Sequence, residues 1–174
     1  MFQHVILSIM LAAPLAAQQP SPATQKPAAP TTKPAAPGEK PAAAAAKGVR
    51  TIEIIATEDM KFSVPTITAK PGEQLRVRLV SKGAMPKIAM AHNFVLLTKK
   101  AVVTDFVTAA MNARATDFIP PDKKADVIAY TGLAGAGETV EVTFKVPAAT
   151  GDYTYLCSFP GHFQAQMKGI LTVK

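Results

Sequence analysis

An all-β, two-sheet Greek-key sandwich with a short helical flap is what this sequence predicts for residues 49–174, behind a disordered Pro/Ala-rich N-terminal segment. Three observations carry that expectation. Short apolar/polar alternations recur from Arg50 to the C-terminus with turn residues between them, the pattern of strands half-buried in a sandwich. One stretch, 99–120, breaks the rhythm and repeats apolar residues at helical spacing. Ahead of both lies a run of Pro, Ala and Lys with no apolar face to bury.

The segments follow in order. Residues 1–17 are a short apolar stretch ending in small residues, as in a secretory signal peptide, with an uncleaved shallow anchor as the alternative. The stretch is shorter than the roughly 20 apolar residues an ordinary membrane span needs. Residues 18–48 repeat Pro, Ala and Lys, which favours an extended, semi-stiff spacer: a tether or a solubilising tail. From residue 50 to 57, Ile52, Ile54 and Ala56 alternate with polar neighbours. Residues 62–70 are expected to be extended, with Pro65 marking an edge or bend. Pro71-Gly72 is a turn. Residues 73–81 place Leu75, Val77 and Leu79 on one side and Arg76 and Arg78 on the other. Residues 88–98 read as the strand carrying His92. In 99–120, Val102, Val103, Phe106, Val107, Ala110 and Met111 recur at helical spacing, and Pro120-Pro121 ends the segment. Residues 132–137 form a glycine-rich loop with no helix start behind it, so no phosphate role is assigned. Residues 139–146, 153–157 and 169–173 complete the strands.

Charge and composition narrow the function classes. The chain has 19 Lys and Arg against 12 Asp and Glu, a net +7. The lysines are spread out, and no basic face is interleaved with aromatics, so nucleic acid is not an expected partner. A weakly basic surface favours acidic redox partners or anionic headgroups. A single cysteine excludes an internal disulfide.

The chemistry concentrates at Tyr155-Leu-Cys157-Ser-Phe-Pro-Gly-His162-Phe-Gln-Ala-Gln-Met167. Taken singly, Cys157 is a small buried hydrophobe, His162 a core histidine and Met167 a gap-filler. Taken together, they let one loop place three donors around one ion. His92 is the only other histidine outside the N-terminal segment. Two imidazoles, one thiolate and a weak thioether form the donor set of a blue-copper electron-transfer site. Zinc prefers four strong ligands, commonly several thiolates. A Cys–His hydrolase pair lacks a third group to orient the histidine.

Over roughly residues 49–174 the sequence resembles the azurin and auracyanin branch of the cupredoxins. Cys157-Ser-Phe-Pro-Gly-His162 resembles that family's Cys-Thr-Phe-Pro-Gly-His loop, Met167-Lys-Gly-Ile-Leu-Thr-Val-Lys174 its last strand, and Met85–Leu96 the segment bearing its first histidine ligand. The resemblance implies one type 1 copper ion held by His92, Cys157, His162 and Met167. It implies a weak axial contact from the Ala91 carbonyl, where azurins have glycine. It also implies that Asn93 ties the ligand segments together through Ser158, and that the Phe159 amide points at the Cys157 sulfur. Azurins carry a disulfide near their N-terminus, which this chain lacks. Lys82 occupies the region of a further non-ligand histidine in azurins, so no histidine switch is expected there.

The expected function is single-electron transfer between redox partners such as cytochromes or a copper/haem reductase, by a protein that is not itself an enzyme. Met60, Met85, Met90, Pro160 and Phe163 are candidates for an apolar docking patch. The alternatives are copper storage or delivery, and an accessory domain of a copper-dependent redox enzyme. No histidines remain for a second copper centre, and the Met- or His-rich clusters of copper carriers are absent apart from the candidate patch. A monomer in the periplasm or otherwise secreted, with tethering through its N-terminus as the alternative, completes the expectation.

Overall fold

The computed structural model describes residues 48–174. The expectations for residues 1–47, signal or anchor and most of the spacer, lie outside the described residues.

Among the described residues, nine strands form two sheets: β1 (Val49–Thr57), β2 (Lys61–Phe62), β3 (Thr66–Ala69), β4 (Gln74–Lys82), β5 (Val95–Leu97), β6 (Val127–Tyr130), β7 (Thr139–Lys145), β8 (Gly151–Leu156) and β9 (Lys168–Val173). One helix, α1 (Val103–Ala110), lies between β5 and β6. The first sheet runs β2-β1-β4-β7 and the second β3-β9-β8-β5-β6. β1 and β4 are parallel, with Ile54 opposite Leu79, and β3 and β9 are also parallel. The other pairings are antiparallel.

Alternation explains which residues fill the core. Ile54 and Ala56 of β1, Leu75, Val77 and Leu79 of β4, and Tyr153 and Tyr155 of β8 point inward and are buried. Arg76 and Arg78 stand on the other face of β4, near Glu141 of β7. Period-two patterning therefore fixes both the face and the register, because a one-residue slip would expose the whole apolar set.

β5 departs from alternation: Val95, Leu96 and Leu97 are all fully buried. Leu96 faces the main core, whereas Val95 and Leu97 join Phe106, Val107, Ile119 and Leu156 in a second cluster. The helical flap supplies Phe106 and Val107 to that cluster and thereby covers the outer face of the second sheet. At eight residues, α1 is too short to persist alone; its buried face holds it in place.

Four sequence expectations change. Residues 62–70 are not one extended element: β2 and β3 belong to different sheets, and Pro65 lies at the crossing. Residues 88–98 do not form a long strand. Only 95–97 do, while His92 makes an isolated bridge to Ala134. The helical segment is shorter than its apolar spacing suggested. Val102 and Met111 fall outside α1 and are exposed, and Pro121 begins a 3-10 turn instead of simply ending the segment. β6 had no counterpart in the sequence pattern, since its side chains do not alternate cleanly between core and solvent.

Candidate metal centre

The copper-loop region leaves β8 at Leu156 and enters β9 at Lys168. Its course follows from its residues. Phe159 to His162 is a reverse turn closed by the His162 N–H donating to the Phe159 carbonyl at 3.1 Å. Pro160 supplies the fixed φ of the second position, and Gly161 takes φ +85° at the third. The Met167 N–H donates to the His162 carbonyl at 2.9 Å, and the Cys157 N–H to the Met167 carbonyl at 3.1 Å. Backbone hydrogen bonds thus tie all three residues together before any metal is considered.

His92 arrives from the other side. Its N–H donates to the Ala134 carbonyl at 2.9 Å and its carbonyl accepts from the Ala134 N–H at 2.8 Å. The two segments are stitched next to the donors. Asn93 Nδ2 donates to Ser158 Oγ at 2.9 Å and to the Asp117 carbonyl at 3.2 Å, while Asn93 Oδ1 accepts the Ser158 N–H at 2.9 Å.

One donor atom from each of His92, Cys157 and His162 lies within 4.8 Å of the others. Cys157 Sγ is 3.4 Å from His162 Nδ1 and 4.0 Å from the Ala91 carbonyl oxygen. The two imidazole centroids are 5.0 Å apart. Met167 is fully buried and belongs to the same apolar cluster as Cys157.

The donor set fits a bound metal on an observation independent of any resemblance. Both ring nitrogens of His92 are buried and have no hydrogen-bond partner. Leaving a buried polar atom unpaired costs about 1–3 kcal/mol, and native structures seldom tolerate that without a reason. A cation held by one of these nitrogens, the Cys157 sulfur and His162 would give that nitrogen its partner.

The electrostatics agree. Burial holds His92 below its ordinary pKa, with Glu58 partly opposing it. Burial and the neighbouring His92 bring His162 down to about 4. Both rings are therefore neutral near pH 7 and offer lone pairs. Burial pushes the Cys157 thiol up to about 12, opposed by the backbone amides of Asn93 and Phe159. Without a metal, the thiol keeps its proton.

The expected docking residues differ in burial. Met60 packs against the main core, and Phe163 against the second cluster. Met85 is exposed, Met90 is half-buried and Pro160 is exposed. Pro160 and Phe159 instead line a cleft of about 630 Å³ with Ile88, Met111, Phe118 and Leu133. Phe159 stands 4.8 Å from the His162 ring, centroid to centroid. Ile88, Met111 and Leu133 were not singled out as site residues from sequence, because no local pattern distinguishes them.

A Greek-key sandwich that buries one thiol and two imidazoles at a single point defines a soft-metal-binding protein. Its relatives make the class specific. A family model described as copper binding proteins, plastocyanin/azurin family, matches residues 50–174. The chain is 42% identical over 124 residues to azurin-1 of Alcaligenes xylosoxydans xylosoxydans, covering 70% of this chain and 95% of that protein. It is 36% identical over 126 residues to auracyanin-B of Chloroflexus aurantiacus, covering 71% and 52% respectively. The solved structure of auracyanin A, a "blue" copper protein from the same green photosynthetic bacterium, matches with a TM-score of 0.65 at 35% identity, over 73% of this chain and 100% of that one. The chain belongs to the plastocyanin/azurin family of copper-binding proteins: it is a cupredoxin whose cofactor is copper at a type 1 site.

Proposed function

We propose that this protein carries single electrons between redox partners and has no substrate of its own. When bound, copper supplies a one-electron Cu(II)/Cu(I) couple. His92, Cys157 and His162 are its strong ligands in this reading. Met167 and the Ala91 carbonyl would be its weaker contacts.

The single observation that carries the reading is the buried, unpartnered His92 ring converging on Cys157 and His162. The protein's own work is to hold these donors still. The 157–167 backbone bonds and the Asn93–Ser158 pair fix them on two segments of a sandwich. Preorganised ligands need little rearrangement when the charge at the site changes, which favours fast electron exchange. The amides of Asn93 and Phe159 act on the Cys157 sulfur; donation to that sulfur favours the reduced ion and raises the potential.

The exit for electrons in this reading is the Phe159–Pro160 edge, where His162 lies next to the cleft. Apolar side chains at an exposed edge suit brief redox encounters, which use small interfaces. Cytochromes or a copper/haem reductase are the partner classes in view, and the protein works as a monomer. Localisation in the periplasm, or as a secreted chain tethered by its N-terminus, rests on the apolar stretch of residues 1–17. Among the described residues, no helix is long and apolar enough to cross a membrane.

Voltammetry of the copper-loaded protein tests the proposal. A reversible one-electron wave is expected, with no turnover of oxygen or nitrite. Release of copper to a carrier chelator without a stable couple would replace this reading with storage or delivery. Cys157→Ser should abolish the intense thiolate-to-copper band.

A further inference from the structure

The turn between β1 and β2 reaches both segments that carry the metal donors. Glu58 lies in that turn, and its Oε1 accepts the N–H groups of Ala84 and Met85, each at 2.7 Å. These residues belong to the loop that leads from β4 to His92. Lys61, at the start of β2, donates from Nζ to the Ala165 carbonyl at 3.0 Å. Ala165 lies between His162 and Met167. Phe62 then anchors the hairpin in the core, its ring 5.7 Å from that of Tyr155, two residues before Cys157.

We propose that the β1–β2 hairpin is a brace that sets the spacing of the two ligand-bearing loops, with Glu58 holding the loop ahead of His92 and Lys61 holding the loop between His162 and Met167. Glu58 and Lys61 are positioning residues: neither is placed among the ligands. Both act through hydrogen bonds between a charged group and the backbone, Glu58 accepting and Lys61 donating, the stronger class of such bonds.

Two further features suit the brace. A Cβ at Gly83 would collide with the Glu58 carboxylate, so the carboxylate has room against the loop only because residue 83 is glycine. Met60 adopts φ +54°, a left-handed conformation that non-glycine residues keep only when surrounding contacts hold it. It sits between the two charged residues and turns the chain so that one faces each loop.

The two ends also carry opposite charge. Glu58 exerts an electrostatic pull on His92. A carboxylate near the site favours the more positive oxidation state, and a lysine disfavours it. Removing them should therefore shift the potential in opposite directions, whereas mere loosening of the fold has no reason to respect sign.

The proposal rests on the electron-transfer reading only for its functional meaning, so its first test uses the metal-free full chain. Native-state amide exchange is measured in Glu58→Ala, Glu58→Asp, Glu58→Gln and Lys61→Met. Glu58→Ala and Glu58→Asp should speed exchange at Ala84 and Met85 by about tenfold, the scale of losing a charge-assisted hydrogen bond. Glu58→Gln keeps an oxygen acceptor of the same reach and should stay within about threefold of the parent. Lys61→Met should leave those amides unchanged and speed Ala165 and Gln166 instead. In the copper-loaded proteins, Glu58→Gln should raise the potential and Lys61→Met should lower it.

Unchanged exchange at Ala84 and Met85 in both Glu58→Ala and Glu58→Asp overturns the brace, as does a Lys61→Met variant that leaves Ala165 and Gln166 untouched. Potentials that move the same way in Glu58→Gln and Lys61→Met also overturn it. Should Glu58→Ala fail to fold, Glu58→Asp and Lys61→Met still decide. If the exchange pattern holds while the copper couple proves irreversible, the brace stands and the electron-carrier reading falls.

Discussion

Asn93 and Ser158, 65 residues apart in sequence, form a two-way hydrogen-bonded pair: the amide nitrogen donates to the serine hydroxyl, and the amide oxygen accepts the serine N–H, each at 2.9 Å. Each residue directly follows a metal donor. Both are buried. The pair fixes how far His92 stands from Cys157 whether or not a metal is present. Asn93→Leu would leave the buried Ser158 N–H without its acceptor. Such an orphan costs about 1–3 kcal/mol. The metal-free variant should therefore unfold at lower urea concentration, by that margin. Ser158→Ala removes only the hydroxyl and should lose about 1 kcal/mol.

Copper binding should release protons in a number set by burial. The Cys157 thiol, held up to about 12, is protonated near pH 7, whereas His162, at about 4, is not. Ligation requires the thiolate, so binding Cu(II) should release about one proton, and affinity should rise about tenfold per pH unit near neutrality. Calorimetry in buffers of different ionisation enthalpy measures the number. In Cys157→Ser it should fall towards zero.

Two glycines should fail for different reasons. At Gly161 nothing lies within 4 Å of an added Cβ, but φ is +85°. Gly161→Ala should cost about 1 kcal/mol through backbone strain alone, and Gly161→Asn should cost less, because asparagine tolerates that region. At Gly169 an added Cβ would run into the Tyr155 ring, which is buried and hydrogen-bonded to the Val64 carbonyl. Gly169→Ala should cost about 1–3 kcal/mol, the usual range for overpacking. It should also perturb the copper spectrum, since Tyr155 is two residues from Cys157. Thermal denaturation and absorption spectra separate the two cases.

Acid should destabilise the metal-free protein first through its buried histidines and then through its carboxylates. Glu58 is held below 4.5 by the Met85 and Ala84 amides, Glu73 by Arg50, and Glu138 by Lys87. The unfolded chain therefore takes up these protons first as the pH falls. The stability they supply is fully present above pH 4.5 and is lost as the pH drops through their lowered values. All three are surface groups, so each effect is modest and weakens with salt. Urea midpoints should begin to fall below about pH 6.5, where His162 and His92 take up protons in the unfolded chain but are held neutral by burial in the fold. They should fall further below 4.5 through these carboxylates, and Glu58→Gln should flatten only that lower part.

Much of the fold was legible because strand formation is written locally. Leu75, Val77 and Leu79 alternate wherever β4 lies, and Pro160-Gly161 specifies its turn without outside help. β5 reads as longer than it is because residues 88–94 look strand-like, whereas Ile88 and Ala89 lie exposed in a turn and His92 pairs only through an isolated bridge to Ala134. The β2–β3 break was missed because an extended run reads the same whether it stays in one sheet or changes sheets at Pro65.

The chemical kind of the site was set by the sequence alone. One cysteine, two histidines and a methionine in this spacing offer soft donors, and those donor types are properties of side chains. Tertiary structure decided where they meet. It brought together His92 and Cys157, 65 positions apart in sequence, and left both ring nitrogens of His92 without a hydrogen-bond partner. It also set Glu58 and Lys61 of one short hairpin against two different loops. No local pattern encodes those contacts, because they depend on which strands pair, and pairing is settled by burying the whole core at once.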